Sequence, residues 1–229
     1  MKKLSVKFNL AEQIIGWIYF VFQLLGLGLV IVVLNMLLGN PLSMADLNIV
    51  SFVINFAAIV AIFHRYLWGN LKTFFAHFWK NLGWSVLGFI AYWVMNILIS
   101  LLIYAVDPEF ANANDDTIME MLQTSFWPLA ICTVLLVPIT EEVLYRGLIF
   151  GNLYNRSKII GFVVSTLLFA SIHVVPYLFT HDISQLTLAF LQYLPAGLVL
   201  GFVYGKSDSI FTGTLIHMII NLIGVAFMR

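Results

Sequence analysis

Charge and cysteine are both scarce in this chain of 229 residues. Only 10% of the residues are Asp, Glu, Lys or Arg, and Cys132 is the single cysteine. Because a soluble domain carries about 25% charged residues, the composition excludes an ordinary soluble globular protein. One cysteine forms no intramolecular disulfide and no thiolate cluster. Cys132 is also far in sequence from any basic group that would activate it as a nucleophile.

Nucleotide-binding and nucleic-acid-binding patterns are missing as well. The chain has no phosphate-binding P-loop and no Gly-x-Gly-x-x-Gly turn after a strand. Its 11 basic residues equal its 11 acidic residues in number and form no basic face of the kind that binds nucleic acid. We therefore expect no nucleic-acid partner.

Long hydrophobic runs dominate what remains, since 62% of the residues are hydrophobic. A membrane-spanning helix needs about 20 consecutive apolar residues, and the chain offers seven such runs. We predict an all-α, polytopic transmembrane bundle of seven helices, with the first span retained because it is too long for a signal-peptide core and lacks a cleavage site. The predicted spans are residues 14–38, 50–66, 84–105, 125–150, 159–178, 186–204 and 210–228.

The charged residues alternate between the predicted loops. Basic residues precede the first span and fill every second loop, whereas the other loops are acidic. The basic set is Lys2, Lys3, Lys7, Arg65, Lys72, Lys80, Arg156, Lys158 and Lys206. The acidic set is Asp46, Asp107, Glu109, Asp115, Asp116, Glu120 and Asp182. Because cytoplasmic loops collect Lys and Arg, we predict a cytoplasmic N-terminus and an outer C-terminus, where only Arg229 departs from the rule.

Three charges interrupt the fourth predicted span, at Glu141, Glu142 and Arg146. Ionisable residues at membrane depth are costly and usually mark a functional site. Glu142 and Arg146 are four residues apart with the acid first, the favourable order for an ion pair on one helix face. Glu141 lies about 100° further round the helix. It therefore keeps a free carboxylate that can serve as base or ligand.

Two later spans each carry a histidine at helical spacing from another distinctive side chain. Phe169 and His173 are four residues apart, and so are His217 and Asn221. Each pair therefore shares a helix face. We predict that Glu141, His173, His217 and Asn221 converge from three helices, a set of groups able to activate a water and hold an oxyanion.

The chain contains three patterns in this order: Glu-Glu-x-x-x-Arg, Phe-x-x-x-His and His-x-x-x-Asn. They resemble the three motifs of the CAAX-protease and bacteriocin-processing (CPBP, or Abi) family of intramembrane proteases. The resemblance covers roughly residues 124–228. It implies a catalytic helical core at 124–229, preceded at 1–123 by membrane helices and an interfacial segment. It also implies catalytic roles for Glu141, His173, His217 and Asn221, with support from Glu142, Arg146 and Phe169. The short loops and small size indicate a bacterial member.

Two mechanisms fit these residues. In one, Glu141 with His173 activates a water, and His217 with Asn221 stabilises the oxyanion. In the other, Glu141, His173 and His217 hold a divalent metal, with zinc as the first candidate, and the metal activates the water. The resemblance favours the glutamate-activated water, although the family is commonly labelled metalloprotease.

The expected substrates are hydrophobic or lipidated peptides and proteins in the membrane, with CAAX-type, bacteriocin or immunity-related processing all open. The alternative function is a non-enzymatic membrane immunity or peptide-binding protein. A transporter would be expected to show inverted repeats, and the sequence has none. Residues 68–80 mix aromatic and basic side chains and are interpreted either as a helix lying on the inner leaflet or as an aromatic connector between spans.

Overall fold

A computed structural model describes residues 4–39 and 42–228, which form a helical bundle without β-strands. The predicted all-α, multi-pass fold and the number of seven helices are confirmed. Lys2, Lys3 and Arg229, which belong to the charge pattern, lie outside the described residues. The helices are α1 (Leu10–Leu37), α2 (Met44–Ala76), α3 (Phe78–Val106), α4 (Ala113–Tyr154), α5 (Lys158–Ile172), α6 (Ile183–Ser207) and α7 (Ile210–Phe227).

Helix α5 is shorter than its predicted span of 159–178. It has 15 residues and ends at Ile172, and a short 3-10 turn, Val175–Tyr177, follows it. The reason is Pro176, which has no N–H to donate to the carbonyl of Ile172 and whose ring would clash with that carbonyl. The other six helices are long and apolar enough to cross a membrane.

Helix α4 is longer than predicted. The predicted span begins at residue 125, but α4 begins at Ala113, after Asn112 caps it by accepting a hydrogen bond from the Asn114 N–H at 3.0 Å. The helix changes direction at Ser125, whose φ of −141° and ψ of 60° are non-helical. The acidic segment therefore continues directly into the motif-bearing helix.

Two stretches of α4, Cys132–Leu136 and Glu142–Gly151, have the wider π-helical hydrogen-bonding pattern. Such turns occur frequently at functional sites. All ten residues of the second stretch are buried. Close packing against it requires Gly147, because a Cβ there would lie 2.9 Å from Phe8 and 3.1 Å from Tyr66.

The main hydrophobic core surrounds this buried stretch. It includes Phe8 and Phe63 from the N-terminal part of the chain, together with Leu148 and Tyr204 from the C-terminal part. Both sides of the predicted domain boundary at residues 123/124 therefore contribute to one continuous core. The boundary itself remains a prediction. Residues 68–76 form the last turns of α2, beyond a kink at Phe63.

Candidate active site

A cavity of about 400 Å³ lies between helices α2 to α7. All four residues that the sequence predicts as catalytic line this cavity: Glu141, His173, His217 and Asn221. Phe169 lines it too, whereas Glu142 and Arg146 are completely buried behind it. The structure thus brings the three motifs to one place.

The lengths of α4 and α5 explain how Glu141 and His173 reach the same depth. Glu141 precedes the end of α4 by 13 residues, and His173 follows the start of α5 by 15 residues. At 1.5 Å per residue both lie roughly 20 Å from the turn that joins the two helices. The predicted spans place these residues in opposite halves of the membrane, because the fourth predicted span ends at residue 150 whereas α4 continues to Tyr154.

Glu142 and Arg146 form a buried ion pair, with 3.2 Å between Oε1 and Nη1. The guanidinium also donates to the carbonyl of Ala196 at 3.3 Å and lies 4.1 Å from the centre of the Phe169 ring. A Cβ at position 213 would lie 3.1 Å from Glu142 Oε2, so Gly213 lets α7 approach the pair. Glu142 is therefore held by its neighbours and does not face the cavity.

His217 lies between the two glutamates. Its Nδ1 is 3.2 Å from Glu142 Oε1, and its Nε2 is 3.7 Å from Glu141 Oε2. The bond to a carboxylate identifies Nδ1 as a donor, which fixes the orientation of the ring. With Nδ1 engaged by Glu142, Nε2 is the ring nitrogen on the side of Glu141.

His173 follows the last residue of α5, where Nδ1 lies 2.9 Å from the backbone carbonyl of Phe169. A carbonyl only accepts, so Nδ1 carries the proton, and Nε2 of the neutral ring is free to accept one. The Phe169 ring packs against both imidazoles, with centroid distances of 5.0 Å to His173 and 5.8 Å to His217. Phe169 therefore supports both histidines and the Arg146 guanidinium at once.

Asn221 lies one turn beyond His217 on α7. Its Nδ2 donates to the carbonyl of Thr133 at 2.9 Å, which uses one of its two N–H groups. The second N–H is available to a ligand in the cavity. The position of Asn221 thus depends on α4 as well as on its own helix.

Tyr193 is a site residue that lies outside the three motifs. Its ring stacks on His173 with a centroid distance of 4.0 Å and an angle of 20°. Its hydroxyl lies 3.1 Å from Asn114 Nδ2 and donates to Asp115 Oδ1 at 3.3 Å. The available signal was the pair Gln192-Tyr193 in the middle of an apolar span, since polar groups at that depth are uncommon.

The predicted zinc site finds no support in this geometry. Across residues 4–39 and 42–228, no three His, Cys, Asp or Glu side chains are arranged to hold a metal ion. In both histidines Nδ1 is engaged, by Glu142 in His217 and by a backbone carbonyl in His173, and Nε2 is left open. It is the spacing of the three side chains, and not the state of the imidazoles, that does not fit a metal in this arrangement.

The fold and the cavity define a multi-pass membrane protein with a buried cluster of carboxylate, imidazole and amide groups. Residues 123–223, which contain all three motifs, match the family model described as "Type II CAAX prenyl endopeptidase Rce1-like". The resemblance predicted from the motifs is thereby confirmed for this segment.

Two curated relatives are similar to the chain. "UPF0177 protein YxdF" of Lactococcus lactis is 29% identical over 90 residues, which are 39% of this chain and 44% of the relative. "Putative membrane peptidase YdiL" of Bacillus subtilis is 27% identical over 141 residues, which are 60% of this chain and 52% of the relative. The matches span about half the length of these relatives. No solved structure matches the chain.

Proposed function

We propose that the chain is an intramembrane endopeptidase that cleaves membrane-associated or lipid-anchored peptides and proteins with a water activated by Glu141. The observation that carries the proposal is the difference between the two adjacent glutamates. Glu142 is paired with Arg146 and His217, whereas Glu141 lines the cavity, with its Oε2 3.7 Å from His217 Nε2. A free carboxylate beside an imidazole is suited to general-base catalysis. The names of the matching family and of the Bacillus relative support the same class of reaction.

The reaction follows from the hydrogen-bonding capacity of each group. Glu141 takes a proton from the water while the water oxygen bonds to the scissile carbonyl carbon. The Nε2 of neutral His173 accepts the other hydrogen of the water as a hydrogen bond. An N–H of His217 and the second N–H of Asn221 stabilise the negative oxygen. Glu141 then returns its proton to the leaving nitrogen as the C–N bond breaks, so the enzyme ends unchanged.

The proposed substrates are apolar or lipidated segments, because they must reach a cavity enclosed by apolar helices. Apart from its polar groups, the cavity is lined by side chains such as Phe52, Ile118, Ile220 and Val225. Bacteriocin maturation, self-immunity and cleavage of a membrane-bound regulator all supply substrates of this class.

The test uses purified protein in detergent and a fluorogenic hydrophobic or prenylated peptide. Glu141→Ala, His173→Ala and His217→Ala should each lower kcat/KM by on the order of 10²-fold or more, as expected for loss of a base or an oxyanion donor. His64→Ala is the matched control, because His64 is exposed and distant in sequence from the three motifs. It should keep full activity. A chelator should not change the rate, because the site has no three-ligand metal set.

The competing function is a non-enzymatic immunity or peptide-binding protein. Such a protein would tolerate the loss of Glu141. If the three alanine variants keep full activity in a membrane-protein cleavage or immunity assay, the binding function replaces the proposed enzyme.

A further inference from the structure

A second cavity, of about 550 Å³, lies at the basic end of the bundle, away from the candidate active site. Lys72 of α2, Lys80 of α3 and Lys206 of α6 all line it. Throughout the part of the chain that the structure describes, no carboxylate lies within 4.0 Å of these three ammonium groups. Asp208 also lines the cavity, but its Oδ1 already accepts from the Ser5 N–H at 2.8 Å. Three lysines from three helices therefore outnumber the one carboxylate in the described lining, and the space carries a net positive charge.

An apolar groove of about 450 Å³ lies between α3, α5 and α6. Its wall on α3 consists of Trp84, Leu87, Gly88, Ala91 and Met95. The eleven helical steps from Trp84 to Met95 extend roughly 16 Å, which is close to half of the ~30 Å hydrocarbon core of a bilayer. Leu87 and Phe202 are exposed in the groove, so it is open to lipid at the side of the bundle.

Lys206 connects the two spaces. Its Nζ lies 5.6 Å from the Trp84 ring and 5.3 Å from the Phe202 ring, and both rings line the apolar groove. The same lysine lines the basic cavity. A single ligand with an anionic head and an apolar chain would therefore fill both spaces around Lys206.

We infer that this composite site binds one anionic phospholipid, with its phosphate among Lys72, Lys80 and Lys206 and one acyl chain in the groove along α3. Basic pockets between transmembrane helices are known to take anionic lipid headgroups. The occupant is not a lipidated substrate on its way to cleavage, because the catalytic cavity and the apolar groove lie on different faces of α3. Tyr92 and Asn96 line the catalytic cavity, whereas Ala91 and Met95 line the groove.

Native mass spectrometry of the purified protein titrated with phosphatidylglycerol tests the inference without any need for peptidase activity. The protein should retain one phosphatidylglycerol and no phosphatidylcholine under the same conditions. Replacement of Lys72, Lys80 and Lys206 by Gln should weaken binding by on the order of 100-fold, at about fivefold for each lysine. The control is Lys158→Gln, an exposed lysine that does not line the cavity. It should bind as the unaltered protein does.

The groove is tested separately by Ala91→Phe, which would occupy the space of the acyl chain. We expect at least a tenfold loss of phosphatidylglycerol binding, with Val94→Phe as the control because Val94 is exposed outside the groove. Melting temperatures measured without added lipid show whether each variant is folded. If Ala91→Phe is not folded, the lysine variants alone test whether the site binds phosphatidylglycerol. Equal binding of the two lipids, equal loss in the Lys158 control, or full competition by glycerol phosphate would overturn the inference. The last result would identify a site for a free anion instead.

Discussion

The side-chain amide of Asn221 is hydrogen-bonded to the backbone carbonyl of Thr133, at 2.9 Å. This carbonyl lies in a π-helical turn, where the Val137 N–H bonds to the carbonyl of Cys132. The next donor in that register would be residue 138, but Pro138 has no N–H. The proline therefore leaves the Thr133 carbonyl free, and Asn221 takes the place of the missing donor.

Pro138→Ala should disturb the site through Asn221. The new N–H at position 138 can bond to Thr133 and compete with the asparagine. We expect turnover to fall between about tenfold and 100-fold, since a misplacement of about 1 Å can cost that much. The melting temperature should stay the same or rise, because the helix gains a hydrogen bond. Peptide cleavage and thermal unfolding measure the two effects.

A double-mutant cycle with Asn221→Ala is the control for that substitution. If Pro138→Ala acts through Asn221, the double variant should be no slower than Asn221→Ala alone, because the two changes remove the same interaction. Fully multiplicative losses would mean that the proline affects the site by another route.

The two glutamates should respond differently to replacement by Gln. Glu142→Gln leaves the fully buried Arg146 without its carboxylate, and breaking a buried pair costs about 3–5 kcal/mol. We expect a much lower melting temperature in detergent. Glu141→Gln should keep the melting temperature and lower turnover by on the order of 10²-fold. An equal loss of folding from both variants would show that the roles are assigned wrongly.

Helical spacing was sufficient to predict the local part of the site. The ion pair of Glu142 with Arg146 and the packing of the Phe169 ring on His173 both join residues four apart. Such contacts depend only on the geometry of one helix. The order of the three motifs and their apolar context are also properties of the sequence alone, and they were enough to indicate the family.

Contacts between helices could not be predicted in the same way. The bond from Asn221 to Thr133 spans 88 positions of the chain and depends on a π-helical turn that no sequence pattern announced. The common depth of Glu141 and His173 depends on how far α4 extends beyond its predicted end. Helix ends are set by packing and by single residues such as Pro176, so apolar runs locate them poorly.

Tyr193 should act as a positioning residue for His173. Tyr193→Ala removes the ring that stacks on the imidazole at 4.0 Å, and we expect kcat to fall by about tenfold or more with little change in KM. Tyr193→Phe keeps the ring and loses the contacts of the hydroxyl with Asn112, Asn114 and Asp115. It should therefore restore most of the rate. A similar loss in both variants would mean that the hydroxyl is the important group.

The charge pattern predicts which side of the membrane the cavity faces. Asn114 and Asp115 line the cavity near the start of α4, at the acidic end of the bundle, and acidic loops are expected outside. Single cysteines at Glu109 and Asp182, in a background without Cys132, should react with an impermeant thiol reagent in intact cells. Cysteines at Lys72 and Lys158 should react only after permeabilisation. All four positions are exposed in the structure, so lack of labelling would reflect sidedness and not burial. The reverse pattern at any two positions would contradict the predicted orientation, and the substrate would then enter from the cytoplasmic side.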